Sequence, residues 1–150
     1  MNRRRLARLS AIAALALCAS ASFAQSKEIR IAHVYGKTGA LEAYGKQTQT
    51  GFMMGLDYAT GGTLAVNGRK LVVIEKDDQG KPDLGKSLLA TAYADDKADL
   101  AVGTTGSGVA LAMLPVAEEY KKVLIVEPAV ADSITGDKWN KYIFRTGRNS

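Results

Sequence analysis

The sequence predicts an α/β fold built on a doubly wound, mostly parallel sheet. Three observations carry this. Four short runs rich in β-branched residues are each followed by a polar or glycine-rich turn and then by apolar residues at helical spacing. The second run, Leu71-Val72-Val73-Ile74, is continuously apolar, as a strand covered on both faces is. The intervening stretches are long enough to carry crossover helices between parallel strands.

The first strand is Ile29-Arg30-Ile31-Ala32-His33-Val34. A helix follows over about 41–58, with Ala40, Tyr44, Thr48, Phe52, Leu56 and Ala59 forming its inward stripe. Gly51 and Gly55 occupy a neighbouring stripe that would admit close packing against another element. Asn67-Gly68 between two apolar runs signals a two-residue hairpin, because both central positions of that turn need positive φ. The second strand continues to Asp77-Asp78. Pro82 then opens a helix over 82–94, with Leu84, Leu88, Leu89 and Ala92 inward. Leu100-Ala101-Val102 is the third strand, leading through GTTGSG into a helix over 107–120 that Pro115 is expected to kink or interrupt. Val123–Val126 is the fourth strand, 132–135 a short helical piece, and Tyr142–Arg145 a fifth run. In such sheets the ligand crevice lies beyond the carboxyl ends of the strands, which directs attention to loops 36–44, 77–81, 103–108 and 127–133.

The net charge of +5 over 150 residues is unevenly placed. Residues 1–24 hold Arg3, Arg4, Arg5 and Arg8 and no acid, and the remainder is nearly neutral. The charge therefore belongs to a leader and gives no reason to expect nucleic-acid binding. MNRRRLARLSAIAALALCASASFAQ has an Arg-rich start, a short apolar run, and Ser22 and Ala24 where a signal peptidase reads. Cleavage is expected after Ala24, giving a periplasmic protein. The apolar run is roughly half of the ~20 residues a membrane span needs. Cys18 follows bulky Leu17, unlike a lipoprotein site, and it is the chain's one cysteine, so the mature chain has no thiol chemistry.

The motif Val102-Gly103-Thr104-Thr105-Gly106-Ser107-Gly108-Val109 fails the sharp templates for anion chemistry. Its glycines run G-x-x-G-x-G after the third strand, where a dinucleotide fingerprint needs G-x-G-x-x-G after the first. No Gly-Lys-Ser/Thr is present in it, and Thr105 and Val109 stand where a nucleophile elbow needs glycines. What remains is Ser107 at or near an N-cap, at the positive end of a helix, able to hold a carboxylate without a metal or base. A tight strand-to-helix turn with no ligand fits equally well. His33, alone within a strand, reads as a satisfied structural histidine and rules out a histidine metal cluster. Asp77-Asp78 reads as a solvated or capping strand end, with an acidic cation or phosphoacceptor pocket as the alternative. Tyr44 can wall an apolar ligand, with Tyr35 nearby. Trp139 and Tyr142 read as packing residues, and Lys121-Lys122 as cations at a helix end. No nucleophile, base and oxyanion hole come together, so neither an enzyme nor a cofactor is expected.

Taken in order and spacing, IRIAHVYGKTGALEAYGKQTQTGFMMGLDYA, the Asn67-Gly68 turn before LVVIEKDDQGKPD, and VGTTGSGVALAMLPVAEEYKKVLIVEPAVAD resemble the periplasmic solute-binding proteins of branched-chain amino-acid-type ABC importers over residues 28–150. The resemblance implies a flavodoxin-like lobe of a type I periplasmic binding fold, in a two-lobed hinged protein that closes on a small ligand and delivers it to a membrane permease as a monomer. It places the aromatic wall on Tyr44 and the carboxylate-binding serine on Ser107, between Gly106 and Gly108. Backbone contacts fall on Ala129 and Ala131, around Val130. Ala131 lacks the hydroxyl with which amino-acid binders hold the ammonium group, so an aromatic acid fits as well as a branched-chain amino acid. The implied organisation is a signal peptide over 1–24, an incomplete ligand-binding lobe over 25–141, and at 142–150 the start of a crossover to a second lobe. A flavodoxin-like enzyme or receiver using Asp77 and Asp78, and the sensing domain of a receptor, are the competing readings.

Overall fold

The computed structural model describes residues 27–147 and 149–150; the leader, with Cys18 and the expected cleavage site, lies outside the described residues. The chain order is β1 (Glu28–Tyr35), α1 (Glu42–Ala59), β2 (Ala65–Val66), β3 (Arg69–Asp77), α2 (Pro82–Ala94), β4 (Leu100–Val102), α3 (Ser107–Tyr120), β5 (Leu124–Val126), a 3-10 turn (Asp132–Ile134) and β6 (Ile143–Arg145). Six strands form one sheet in the order β2-β3-β1-β4-β5-β6. β1 pairs in parallel with β3 on one side and β4 on the other, and β4, β5 and β6 continue in parallel. β2 alone runs antiparallel, joined to β3 by the expected hairpin, in which Asn67 and Gly68 have φ of 49° and 76°. Ile143–Arg145, within the fifth run expected over Tyr142–Arg145, is the sheet's sixth strand.

The period-two alternation of the strands divides the sheet into two unequal faces. Ala32, Val34, Ala101, Leu124, Val126 and Ile143 join Leu89, Ala92, Tyr93, Val109, Met113, Leu114, Val116 and Ala117 of α2 and α3 in one apolar core. That packing carries α3 unbroken through Pro115, where a kink or interruption was expected. His33 and Tyr35 face the other way, toward Phe52 of α1.

Three packing expectations are corrected. Leu71–Ile74 are only half-buried, because β3 lies one strand from the sheet's edge and α2 packs more on β1 than on β3. On α1 the fully buried position is Gly45, with Thr48, Phe52 and Leu56 half-buried, while Tyr44 and Ala59 point outward. A Cβ at position 45 would lie 2.1 Å from the Gly36 carbonyl oxygen, so glycine there lets α1 approach the end of β1. Gly51 and Gly55 face open space instead of the close neighbour expected of them.

Candidate functional site

Three loops converge beyond the carboxyl ends of β1, β4 and β5. Between them lies a cleft of about 200 Å³ lined by Leu41, Tyr44, Thr105, Ser107, Pro128, Ala129 and Val130. The loop after β4 is drawn close to β1 at Gly103. There φ is +148°, and a Cβ would fall 1.8 Å from the Val34 carbonyl oxygen. Of the motif's glycines, Gly103 is the one whose backbone demands the residue. A Cβ at Gly106 or Gly108 would meet only ordinary van der Waals contacts, so these two leave the rim low.

Beyond the strands the β4–β5 ladder continues into the loops, with Glu127 N donating to Gly103 O and Ala129 N to Thr104 O, both at 3.2 Å. This places Ala129, buried, behind the cleft. Gly106 occupies the N-cap position of α3 without a side-chain cap, and Ser107 is the first helical residue. Its hydroxyl does not cap the helix. Instead Ser107 Oγ accepts the amide of Val130 at 3.2 Å and that of Ala131 at 3.1 Å, tying the two loops together. A serine hydroxyl has two acceptor positions and one proton. With both acceptor positions engaged, Ser107 has its proton left to donate. The helix ladder begins with Ala110 N to Gly106 O at 3.0 Å, so the amides before it lie in the first turn, where the macrodipole favours an anion.

Tyr44 forms the outer wall of the cleft and is 62% exposed. Tyr35 does not share this role: it is buried against His33, and its hydroxyl donates to Glu75 at 3.2 Å. Burial first, and then the Glu75 carboxylate, push its pKa up to about 12. Sequence reasoning missed Leu41, Thr105 and Pro128 as lining residues, and of its own set Gly106, Gly108 and Ala131 fall outside the lining. Thr105 Oγ1 also accepts the Gly36 amide at 3.1 Å, joining the first loop to the third.

The two aspartates after β3 serve these loops. Asp77 accepts the Thr38 amide at 3.1 Å, the Thr38 hydroxyl at 2.7 Å and the Gln79 amide at 3.0 Å. Burial alone would raise its pKa, but these hydrogen bonds outweigh it and hold the carboxyl below its ordinary range. Asp78 is fully buried, accepts the Gly80 amide at 2.7 Å and is bonded by the Thr104 hydroxyl. Burial, stronger than these bonds, raises its pKa. Neither caps α2, whose N-cap Lys81 has no side-chain cap, and Asp78 is buried and not solvated, so the expected solvated or capping strand end is corrected: both carboxylates instead close the turn at Gln79 and Gly80. Among the described residues no group of three or more His, Cys, Asp or Glu is placed to hold a metal, and no helix is long and apolar enough to cross a membrane.

His33 corrects the expectation of a satisfied histidine. It is fully buried and stacked on Tyr35 at 4.3 Å, yet neither ring nitrogen has a hydrogen-bond partner among the described residues. Desolvation lowers its pKa to about 4, against a weaker upward pull from Glu75. At neutral pH the ring is uncharged, which is what allows it to stack in an apolar layer. Tyr142 lies against the core, as expected, whereas Trp139 is largely exposed and is held by its indole N–H, which donates to the Ile143 carbonyl at 2.9 Å. Lys122 donates to the Ala98 carbonyl, and its ammonium lies 5.5 Å from the Tyr93 ring centre.

No curated protein sequence matches the chain. Among solved structures, a protein from Rhodopseudomonas palustris CGA009 described as an ABC-type branched-chain amino acid transporter is 70% identical, with a TM-score of 0.81 over 81% of this chain and 33% of that one. A solute-binding protein of an ABC transporter from Rhodopseudomonas palustris BisB5, in complex with 3,4-dihydroxybenzoic acid, is 29% identical, with a TM-score of 0.75 over 83% of this chain and 33% of that one. A third, from R. palustris in complex with benzoate, is 27% identical, with a TM-score of 0.74 over 81% of this chain and 33% of that one. The chain thus spans about a third of the length of these relatives. The model of the family described as "Periplasmic binding protein" matches residues 28–150, most of the chain. With the parallel sheet and the loop-built cleft, this match makes the chain a member of the periplasmic binding protein family.

Proposed function

We propose that the chain supplies one wall of the ligand cleft in an extracytoplasmic substrate-binding protein of an ABC importer, and that the ligand is a small apolar carboxylate delivered to a membrane permease. The observation that carries this reading is the state of Ser107. Its hydroxyl oxygen is engaged by Val130 and Ala131, so it meets a ligand as a donor, at a helix N-terminus and beside an aromatic wall. A carboxylate needs donors, and an apolar body needs Tyr44 and Leu41. Tyr44, Ser107, Ala129 and Val130 line the cleft, and with Gly106, Gly108 and Ala131 from the same loops they are the proposed contact set on this side, to which the lining adds Leu41, Thr105 and Pro128.

The side chain at 131 favours an aromatic acid over an amino acid, since Ala131 offers no hydroxyl to an ammonium group. Two relatives bind benzoate or dihydroxybenzoate, and the 70%-identical protein is described as a branched-chain amino acid transporter, so both ligand classes are tested together. The experiment is a thermal-shift series on the full-length gene product with leucine, isoleucine, benzoate and 4-hydroxybenzoate. Stabilisation by the benzoates supports the aromatic-acid reading. Stabilisation by the amino acids alone overturns the inference from Ala131, and no response to any carboxylate overturns the function. Export through a cleaved leader is tested by the N-terminal sequence of the mature protein, expected to begin at Gln25.

A further inference from the structure

We infer that Arg145 is the positioning residue of the cleft, acting on Ser107 through the peptide group between Val130 and Ala131. Arg145 ends β6 and pairs in register with Val126 at the end of β5, directly before the loop that walls the cleft. From there its guanidinium reaches over that loop. Nη1 donates to the Val130 carbonyl at 3.3 Å and to the Ala131 carbonyl at 2.8 Å, and Nη2 donates to the Thr135 hydroxyl at 2.6 Å.

The chemistry follows from what those carbonyls belong to. The Val130 carbonyl and the Ala131 N–H are two ends of one peptide group, and that N–H donates to Ser107 Oγ. A cationic donor on the oxygen polarises the group and strengthens the N–H as a donor, because hydrogen bonds in series reinforce one another. A stronger donor on Ser107 Oγ in turn makes the serine proton a better donor to an anion. The planar guanidinium also fixes direction: Nη1 reaches two successive carbonyls while Nη2, bonded to Thr135, sets the plane. Among the described residues no carboxylate forms an ion pair with Arg145, so its charge is neutralised by none of them and adds a positive field behind the loop. No ligand contact is required of Arg145 itself.

This inference rests on the proposal that the cleft around Ser107 takes a carboxylate, and its test separates the two. The full-length protein is compared with Arg145→Met, Arg145→Lys and Thr135→Val. In the ligand-free state, amide hydrogen exchange is followed at Val130 and Ala131 and, as an internal reference, at Ile31 and Val34 in β1. Arg145→Met is expected to speed exchange at 130 and 131 by about tenfold or more while β1 is unchanged. Arg145→Lys restores charge without the fork and recovers part of the protection, and Thr135→Val gives a smaller loss. Titration with benzoate and with leucine then follows: whichever probe binds the parent protein should bind Arg145→Met at least about tenfold more weakly, with partial recovery in Arg145→Lys. Unchanged exchange at 130 and 131, a loss spread equally through β1, or undiminished affinity in Arg145→Met overturns the assignment. If the parent protein binds neither probe, the carboxylate reading fails, and the exchange result still decides whether Arg145 orders the loop.

Discussion

Ser107 and Ala131 lie 24 residues apart in the chain, and the amide of Ala131 donates to the hydroxyl oxygen of Ser107 at 3.1 Å. The bond joins the start of a helix to the loop beyond the neighbouring strand, and with the Val130 amide it commits both acceptor positions of the serine. Ser107→Ala therefore removes a carboxylate donor and frees two backbone amides at once. Loss of a hydrogen bond to a charged group costs about 1.5–3 kcal/mol, so affinity for a carboxylate ligand is expected to fall roughly tenfold to a hundredfold by calorimetry. A variant binding as tightly as the parent would mean that the serine only ties the loops.

The glycines of α1 separate close approach from open surface. Gly45 has the Gly36 carbonyl oxygen 2.1 Å from where a Cβ would sit, while Gly51 and Gly55 have nothing within 4 Å. Gly45→Ala is expected to push α1 off β1 and to destabilise the chain by more than about 2 kcal/mol. Gly51→Ala and Gly55→Ala, at helical positions with space, are expected to stabilise it by about 0.5–1 kcal/mol. Urea unfolding of the three variants checks both signs, and a stabilising Gly45→Ala would contradict the packing described.

His33 gives a pH dependence of definite sign. Its folded-state pKa is lowered, by desolvation, from 6.5 to about 4. Above pH 6.5 the ring is neutral in both states and its contribution is complete. Below 6.5 the unfolded chain takes up the proton while the folded chain resists until about pH 4, so stability is lost across that window. Between pH 7 and pH 5 the loss from this residue is about 2 kcal/mol. Glu75, the carboxyl paired with it across β1 and β3, is held below its ordinary range chiefly by Lys37. His33→Phe should flatten the unfolding free energy between pH 7 and pH 5, and an unchanged slope would place the titration elsewhere.

Much of this was legible in the sequence because it is locally encoded. Pro82 and the helical spacing after it set α2 at 82–94, and Ser107 to Tyr120 bound α3, both as expected. Asn67-Gly68 specified its hairpin because positive φ is a property of those two residues themselves. The failures are relations between distant segments. The inward stripe of α1 holds at Thr48, Phe52 and Leu56 and fails at its start, where apolar spacing selects Tyr44 and the deciding contact is Gly45 against Gly36. The glycine that Gly103 must be is fixed by a strand sixty-nine residues earlier, at Val34. Arg145 carries no motif at all: it becomes informative only when β6 lies beside β5 and two carbonyls fall under its fork.

Ligand class is open to a substitution that adds a function. Ala131 is half-buried next to Val130 of the cleft lining, with its amide already given to Ser107. Its methyl side chain presents neither donor nor acceptor, so an α-ammonium group brought there would be desolvated without compensation, a cost that a benzoate does not meet. Ala131→Ser leaves the backbone bond in place and adds one hydroxyl oxygen. Leucine should then gain about tenfold in affinity relative to benzoate. Competition calorimetry with both probes reads that ratio directly. A ratio unchanged by the hydroxyl would show that position 131 does not select between amino acids and aromatic acids, and discrimination would have to come from groups on the facing side of the cleft.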